Sequence, residues 1–291
     1  MKRPSGTDQP DLMSVDEVSE RLGVPTATLL SWGRRHGLAL GHPIGGSQRY
    51  SPQDLVALEH IRDQDATARP IAAAAALVNA RLSAIPTELC AALLGATNQL
   101  DATTVVEVLD RSAWLIGIPA TIDDVVLPAF REIGNLWSRG ACNIAQEQLA
   151  TATIQGWLHT QSQTARPPAP TPVVVLSAGP SEQHTLGLTA FGVLLAHHGL
   201  ACLDLGARTP ATTLQATVRD AEASAVVLTA QLNANRPATV AALRKLRDTS
   251  AVLYYAGAAF RTLSSRRGVP GTYLGGNLTN AAAHLATQLT P

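Results

Sequence analysis

From residue 172 onward the chain follows a pattern that few folds satisfy, with short apolar runs alternating with stretches of helical spacing. The runs are Val173–Ser177, Cys202–Leu205, Ala225–Thr229, Val252–Tyr255 and Thr272–Leu274, and the stretches between and after them fall at about 185–198, 211–222, 236–247 and 278–289. Strands that are apolar along their whole length are buried on both faces, and each gap holds one crossover helix. The pattern predicts a doubly wound parallel sheet of five strands.

Two breaks precede this region. Residues 63–70, DQDATARP, are polar and end in proline, and residues 163–172, QTARPPAPTP, hold four prolines and read as an extended linker. The expected domains are therefore 12–65, 70–162 and 172–290. The middle segment reads as an antiparallel helical bundle, its clearest helix spanning about 121–137 with Ile122, Val126, Phe130, Ile133 and Trp137 at steps of three or four. The first segment opens on a capping-box pattern, Ser14-Val-Asp-Glu17, followed by a helix to Gly23. A second helix runs from Thr26 to Gly37, a turn-rich segment spans His42–Tyr50, and Ser51 caps a third helix carrying Leu55, Leu58 and Ile61.

Composition limits the partners. The 22 basic and 22 acidic residues cancel, so overall charge points neither to nucleic acid nor to an acidic membrane, and DNA contact requires a local patch. Cys90, Cys142 and Cys202 form no CxxC pair and read as reduced thiols of a cytoplasmic protein. The N-terminus lacks the apolar core of a leader, and no stretch reads as a bilayer span. The sequence holds no P-loop, no GxSxG and no nucleophile with a base, so no catalysis is expected. His36, His42, His60, His159, His197, His198 and His284 lack acidic or cysteine partners at metal-ligand spacing.

Helix, short turn, helix and wing form a DNA-binding arrangement in which the second helix enters the major groove. Thr26, Arg34 and Arg35 lie on that helix, and Gln48, Arg49 and Tyr50 on the wing. Over about 55 residues the segment resembles the MerR-type winged helix, on Ser14-Val-Asp-Glu-Val-Ser, Thr28-Leu-Leu-Ser-Trp32-Gly-Arg-Arg and Arg49-Tyr50-Ser-Pro-Gln-Asp54-Leu in that order. Residues 1–65 nevertheless carry seven basic and nine acidic side chains. The affinity of one such domain is expected to be modest, which makes assembly important. The bland alternative is a small interaction domain with solvated arginines.

The most informative residues are Ser181-Glu182-Gln183-His184-Thr185-Leu186-Gly187, between the first strand of the sheet and its helix, at the edge where such sheets bind ligands. A neutral imidazole is an axial donor to cobalt, best held when its other nitrogen donates to an acid. Glu182 is the candidate acid, and Gly187 permits close approach of a large ligand. Taken alone, His184 reads as a surface histidine. The loop resembles the Asp/Glu-x-His-x-x-Gly signature of cobalamin-binding Rossmann-like domains. The resemblance implies that His184 ligates cobalt in place of the cofactor's nucleotide base, whose tail enters a slot marked by Ser-x-Leu and Gly-Gly. This chain has Thr229-Ala230-Gln231 and Gly257-Ala258 at those places, both partial matches.

The bundle carries a second resemblance, to the cobalamin-dependent, light-sensing MerR-type repressors of carotenoid genes. Their upper-face motif is Trp, nine residues, then Glu-His; here it is Trp137, nine residues, then Glu147-Gln148. The resemblance implies that Trp137 shields the cobalt–carbon bond and that Glu147 meets the adenosyl ribose. Without it, Trp137 reads as core and Glu147 as a solvated carboxylate. Gln148 stands where the motif has His, and Ser138 where light-sensing members have a second His.

Across nearly the whole chain the resemblance implies a homo-oligomeric repressor that holds an operator in the dark with adenosylcobalamin and releases it in light. The alternatives are a corrinoid carrier in methyl transfer, which would not need residues 12–65, and a regulator of this kind that binds another tetrapyrrole or no cofactor.

Overall fold

In the computed structural model the described residues are 12–36, 40–44, 47–66, 71–165 and 171–290. Their contacts group the chain into two compact units, Met1–Ala150 and Thr151–Pro291.

The first unit opens with β1 (Met13–Ser14) and α1 (Val15–Leu22). The capping box forms as the sequence predicts: the Glu17 amide donates to Ser14 Oγ at 3.2 Å, and the Ser14 amide donates to the Glu17 carboxylate at 2.6 Å. Gly23 ends the helix at φ +65°, a left-handed conformation that glycine adopts without strain. α2 (Thr26–His36) follows, then β2 (His42–Ile44) and β3 (Ser47–Tyr50), which pair antiparallel, with β1 on the other side of β3. Gly37 and the wing tip at 45–46 lie outside the described residues. The core of this lobe is Val18, Leu22, Leu29, Trp32, Leu58 and Ile61 with their neighbours.

Ser51 caps α3 (Pro52–Ala66). Its hydroxyl accepts from the Asp54 amide at 3.2 Å, and the Ser51 amide donates to the Asp54 carboxylate at 2.7 Å. Both residues are buried. Ser51→Ala is therefore expected to cost about 1–2 kcal/mol; an unchanged melting temperature would show that the cap contributes nothing.

Within the first unit the bundle consists of α4 (Ile71–Asn98), α5 (Ala102–Ala120), α6 (Leu127–Ser138) and the start of α7 (Ile144–Thr164), whose remainder belongs to the second unit. The predicted helix over 121–137 is the second half of a longer run. α5 kinks at Gly117 (φ +79°) ahead of Pro119, and a π-helical turn, Thr121–Val126, leads into α6. By length and composition the run Ala102–Ser138 passes for a bilayer span, contrary to the expectation that no stretch would. Yet Val105, Leu109, Ile116, Ile122, Val126 and Ile133 are all buried within the bundle, the role of a core helix.

The second unit has the expected architecture. β4 (Val173–Ala178), β5 (Ala201–Asp204), β6 (Ala225–Thr229), β7 (Val252–Ala256) and β8 (Thr272–Tyr273) pair in parallel in the order β5-β4-β6-β7-β8. α8 (Leu186–His197), α9 (Ala211–Asp220), α10 (Arg236–Lys245) and α11 (Leu278–Leu289) alternate with the strands. Val174, Val175, Leu176, Val226 and Leu228 are fully buried, as central strands covered on both faces must be. The order steps away from β4 in both directions, so the carboxyl ends of β4 and its neighbours open onto the crevice where such sheets take ligands.

Candidate functional site

Glu182 and His184 sit on the loop between β4 and α8. Glu182 is completely buried, yet its carboxylate is surrounded by donors. One carboxylate oxygen accepts from the amides of Gln183 (2.9 Å) and His184 (3.0 Å) and from the His184 ring Nδ1 (2.5 Å). The other accepts from the Gln231 amide (2.7 Å) and from Asn235 Nδ2 (3.1 Å), both on the segment that follows β6. Burial pushes the carboxyl up, but the donors of His184, Asn235 and Gln231 outweigh it and hold the acid at about 2. An ionised carboxylate can only accept, so Nδ1 donates to it and Nε2 is the nitrogen that the neutral ring would present to a metal. The His184 side chain is 58% exposed. The arrangement is a fixed imidazole whose donor nitrogen is free for a metal.

The remaining predicted residues divide into three sets. At Gly187 an added Cβ would meet nothing within 4 Å, so the ground beside His184 is open. Thr229, at the end of β6, has a buried hydroxyl with no hydrogen-bond partner among the described residues. Gly257, at φ +106°, has no room for a Cβ because the Ala230 carbonyl is in the way; it lets the end of β7 close on β6. The Gln231 side chain spans the same two strand ends by accepting from the Ala258 amide at 3.1 Å. In the first unit, Glu147 and Gln148 occupy the start of α7, with Glu147 half-buried and Gln148 exposed.

Trp137 is not core: it is 56% exposed. Buried positions on this helix run Ala129, Ile133 and then toward Leu136, which packs with Cys142 and Ala150, so Trp137 falls one residue off that stripe. On the wing, Tyr50 is buried in the lobe's core, and the Gln48 amide donates to the Leu40 carbonyl at 2.9 Å, so both side chains are used internally. Arg49 is half-buried on β3 and Thr26 opens α2. Arg34 and Arg35 lie on α2, but their side chains are outside what is described. Asn235, the side-chain donor to Glu182, carries no signal in the sequence; 53 residues separate the two.

Of the histidines expected to have no role, His197 has its Nε2 buried without a partner among the described residues, and burial, with the charge of His198, lowers its basicity. The thiols carry no disulfide, and burial pushes Cys202 up to about 12, leaving it unreactive. No cluster of three metal-ligating side chains occurs among the described residues.

Residues 13–80 match the MerR HTH family regulatory protein family, and residues 89–160 match the B12 binding domain. The chain fits a MerR-type regulator with a cobalamin-binding module. The B12 domain match covers the later part of α4 and continues through α5 and α6 into α7. The chain is 25% identical over 217 residues to the HTH-type transcriptional repressor CarH of Myxococcus xanthus, covering 69% of this chain and 72% of that protein. The monomethylamine corrinoid protein of Methanosarcina barkeri aligns with a TM-score of 0.52 at 15% identity, over 67% of this chain and 96% of that one. That likeness establishes the fold of the bundle and the Rossmann-like sheet, and a MerR HTH domain implies DNA binding.

Proposed function

We propose that the protein is a cobalamin-dependent, DNA-binding transcriptional repressor whose cofactor state controls its assembly and thereby its hold on an operator. The observation that carries the reading is the His184–Glu182 pair: an exposed imidazole whose Nδ1 is committed to a buried, ionised carboxylate. The site fits cobalamin on three counts. Its one metal donor is oriented, the ground at Gly187 is open, and the Thr229 hydroxyl is buried without a partner among the described residues, at the strand end marked by the slot motif.

Bound adenosylcobalamin, the form we favour, would supply a cobalt centre with one site for a nitrogen donor and a light-sensitive cobalt–carbon bond. The chain's part is to present Nε2 of His184, to keep the ring proton on Nδ1 through Glu182, and to hold Glu182 in place from Asn235 and Gln231. Thr229 and Gly257 belong to the tail slot by their motif positions. By motif spacing, Trp137, Glu147 and Gln148 are the bundle's contribution to the cofactor's upper side. Thr26, Arg34, Arg35 and Arg49 are the DNA-facing residues, with Gln48 and Tyr50 shaping the wing.

Assembly matters because a lobe with nine acidic and seven basic residues in its first 65 binds DNA weakly alone, and a homo-oligomer multiplies that hold. A cofactor form that prefers one assembly shifts the whole equilibrium. The protein acts in the cytoplasm and turns over no substrate. The competing reading, a corrinoid methyl carrier, accounts for the sheet and bundle but leaves the MerR HTH domain without a purpose.

Purified in the dark with adenosylcobalamin, the protein is expected to show a bound-cobalamin spectrum that changes under green light together with its oligomer size. A bound spectrum and a size that both ignore light would remove the photoreceptor part of the reading. Absence of bound cobalamin would overturn the cofactor assignment.

A further inference from the structure

Between residues 236 and 267 the chain carries seven cationic side chains and a single carboxylate, Asp248. They lie on two segments of the α/β unit. Arg236, Arg244 and Lys245 are on α10, with Arg247 on the turn after it; Arg261, Arg266 and Arg267 are on the connection from β7 to β8. The segments touch at both ends of the sheet. At the carboxyl edge Arg236 Nε donates to the Ser265 carbonyl at 2.7 Å, and its guanidinium lies 5.8 Å from the Phe260 ring centre. At the amino edge Arg247 and Gly268–Thr272 line one concavity. The cations therefore form a basic strip with members at both ends of α10, about 15 Å apart along its axis.

Two of these cations are used in building the strip. Arg236 is one, and Arg266 donates to the Phe260 and Arg261 carbonyls while stacking 3.8 Å over Tyr273. Arg244, Lys245, Arg247, Arg261 and Arg267 are exposed, and their side chains make no hydrogen bond or ion pair among the described residues. Asp248, and Asp220 and Glu222 at the end of α9, are the carboxylates at the amino edge, and they too are exposed. Favourable placement at the carboxyl end of α10 accounts for Arg244, Lys245 and Arg247. It does not account for Arg261 and Arg267, which belong to no long helix.

We propose that this strip is a second, sequence-independent binding surface for duplex DNA, holding backbone phosphates. The inference rests on the DNA-binding reading of the MerR HTH domain. That domain's region is acidic on balance, whereas a polyanion is held chiefly by phosphate contacts, so a cationic surface elsewhere in the chain adds to the hold that the domain provides. The strip is mostly arginine, whose planar fork pairs with phosphate oxygens.

The test measures binding of the full chain to a labelled random-sequence duplex across salt concentrations. The variant combines Arg244→Gln, Lys245→Gln, Arg247→Gln and Arg267→Gln, all exposed positions, with circular dichroism to check the fold. The slope of log affinity against log salt is expected to fall by about 0.9 for each phosphate that is no longer neutralised, and affinity at low salt by roughly tenfold or more. Charge reversal by Arg247→Glu alone is expected to act in the same direction. An unchanged slope would overturn the inference, and a changed oligomer size at constant slope would make the strip a protein interface instead. Failure of the wild type to bind any duplex would overturn the DNA-binding reading itself.

Discussion

His184→Ala is expected to weaken cobalamin binding by roughly 100-fold or more, a larger loss than the roughly 10- to 100-fold typical of residues that only support a ligand. The side chain is 58% exposed and touches the fold chiefly through Glu182, so its removal leaves the sheet and its core intact. The melting temperature of the cofactor-free protein should therefore move little while the affinity collapses. Free imidazole added to the variant should restore part of the binding and a nitrogen-ligated cobalt spectrum, because the space left by the ring is open to solvent. Retention of full affinity with an unaltered spectrum would show that another group meets the cobalt.

The second large effect is expected at Glu182, in stability as well as in binding. Glu182→Ala removes the acceptor for the Gln183, His184 and Gln231 amides, the His184 ring and the Asn235 amide in one step. Donors left unsatisfied in a buried place cost about 1–3 kcal/mol each, offset where the loop relaxes toward water. A net loss of about 3 kcal/mol is expected, lowering the melting temperature by roughly 10 °C in a unit of this size. Glu182→Gln keeps the volume but turns one end of the acceptor into a donor, so an intermediate loss is expected. Because the carboxylate also fixes the imidazole, both variants should weaken cobalamin binding roughly 10- to 100-fold. A melting temperature within a degree of wild type for Glu182→Ala would mean that the loop is held by something other than this carboxylate.

The contrast between these two residues shows what a sequence can and cannot carry. The Glu182–His184 partnership spans two positions on one loop, and local spacing suffices to anticipate it. The same holds for the capping box at Ser14 and Glu17, the cap at Ser51, and the five strands of the sheet, each an arrangement of near neighbours with its own period. Asn235 is out of reach because its contact with Glu182 exists only once β4 and β6 lie side by side. Gly257 reads in the sequence as part of a ligand slot, whereas its immediate constraint is the Ala230 carbonyl on the neighbouring strand. The basic strip is hidden for the same reason: its two halves meet only in the folded sheet, and their charges are cancelled by acids elsewhere.

Trp137 reads as core in the sequence and is not, because the buried stripe of α6 runs through Ala129 and Ile133 toward Leu136; the phase at which α6 begins is set upstream, in the turn Thr121–Val126. There the Leu127 amide reaches back to the Ile122 carbonyl, five residues away rather than four. Such a turn is the trace of one residue more than a regular helix would hold, and each residue of a helix turns its neighbours by about 100°. The turn therefore works as a phase offset between α5 and α6. Everything downstream of it faces a direction set by residue count, whatever the residue types happen to be. Trimming one residue from the turn would swing α6 by more than a quarter of a revolution and exchange which of its side chains meet water, with no change in composition or hydrophobicity. Homologues that differ by one residue in this turn should differ in the direction their α6 side chains point, even where those side chains are identical.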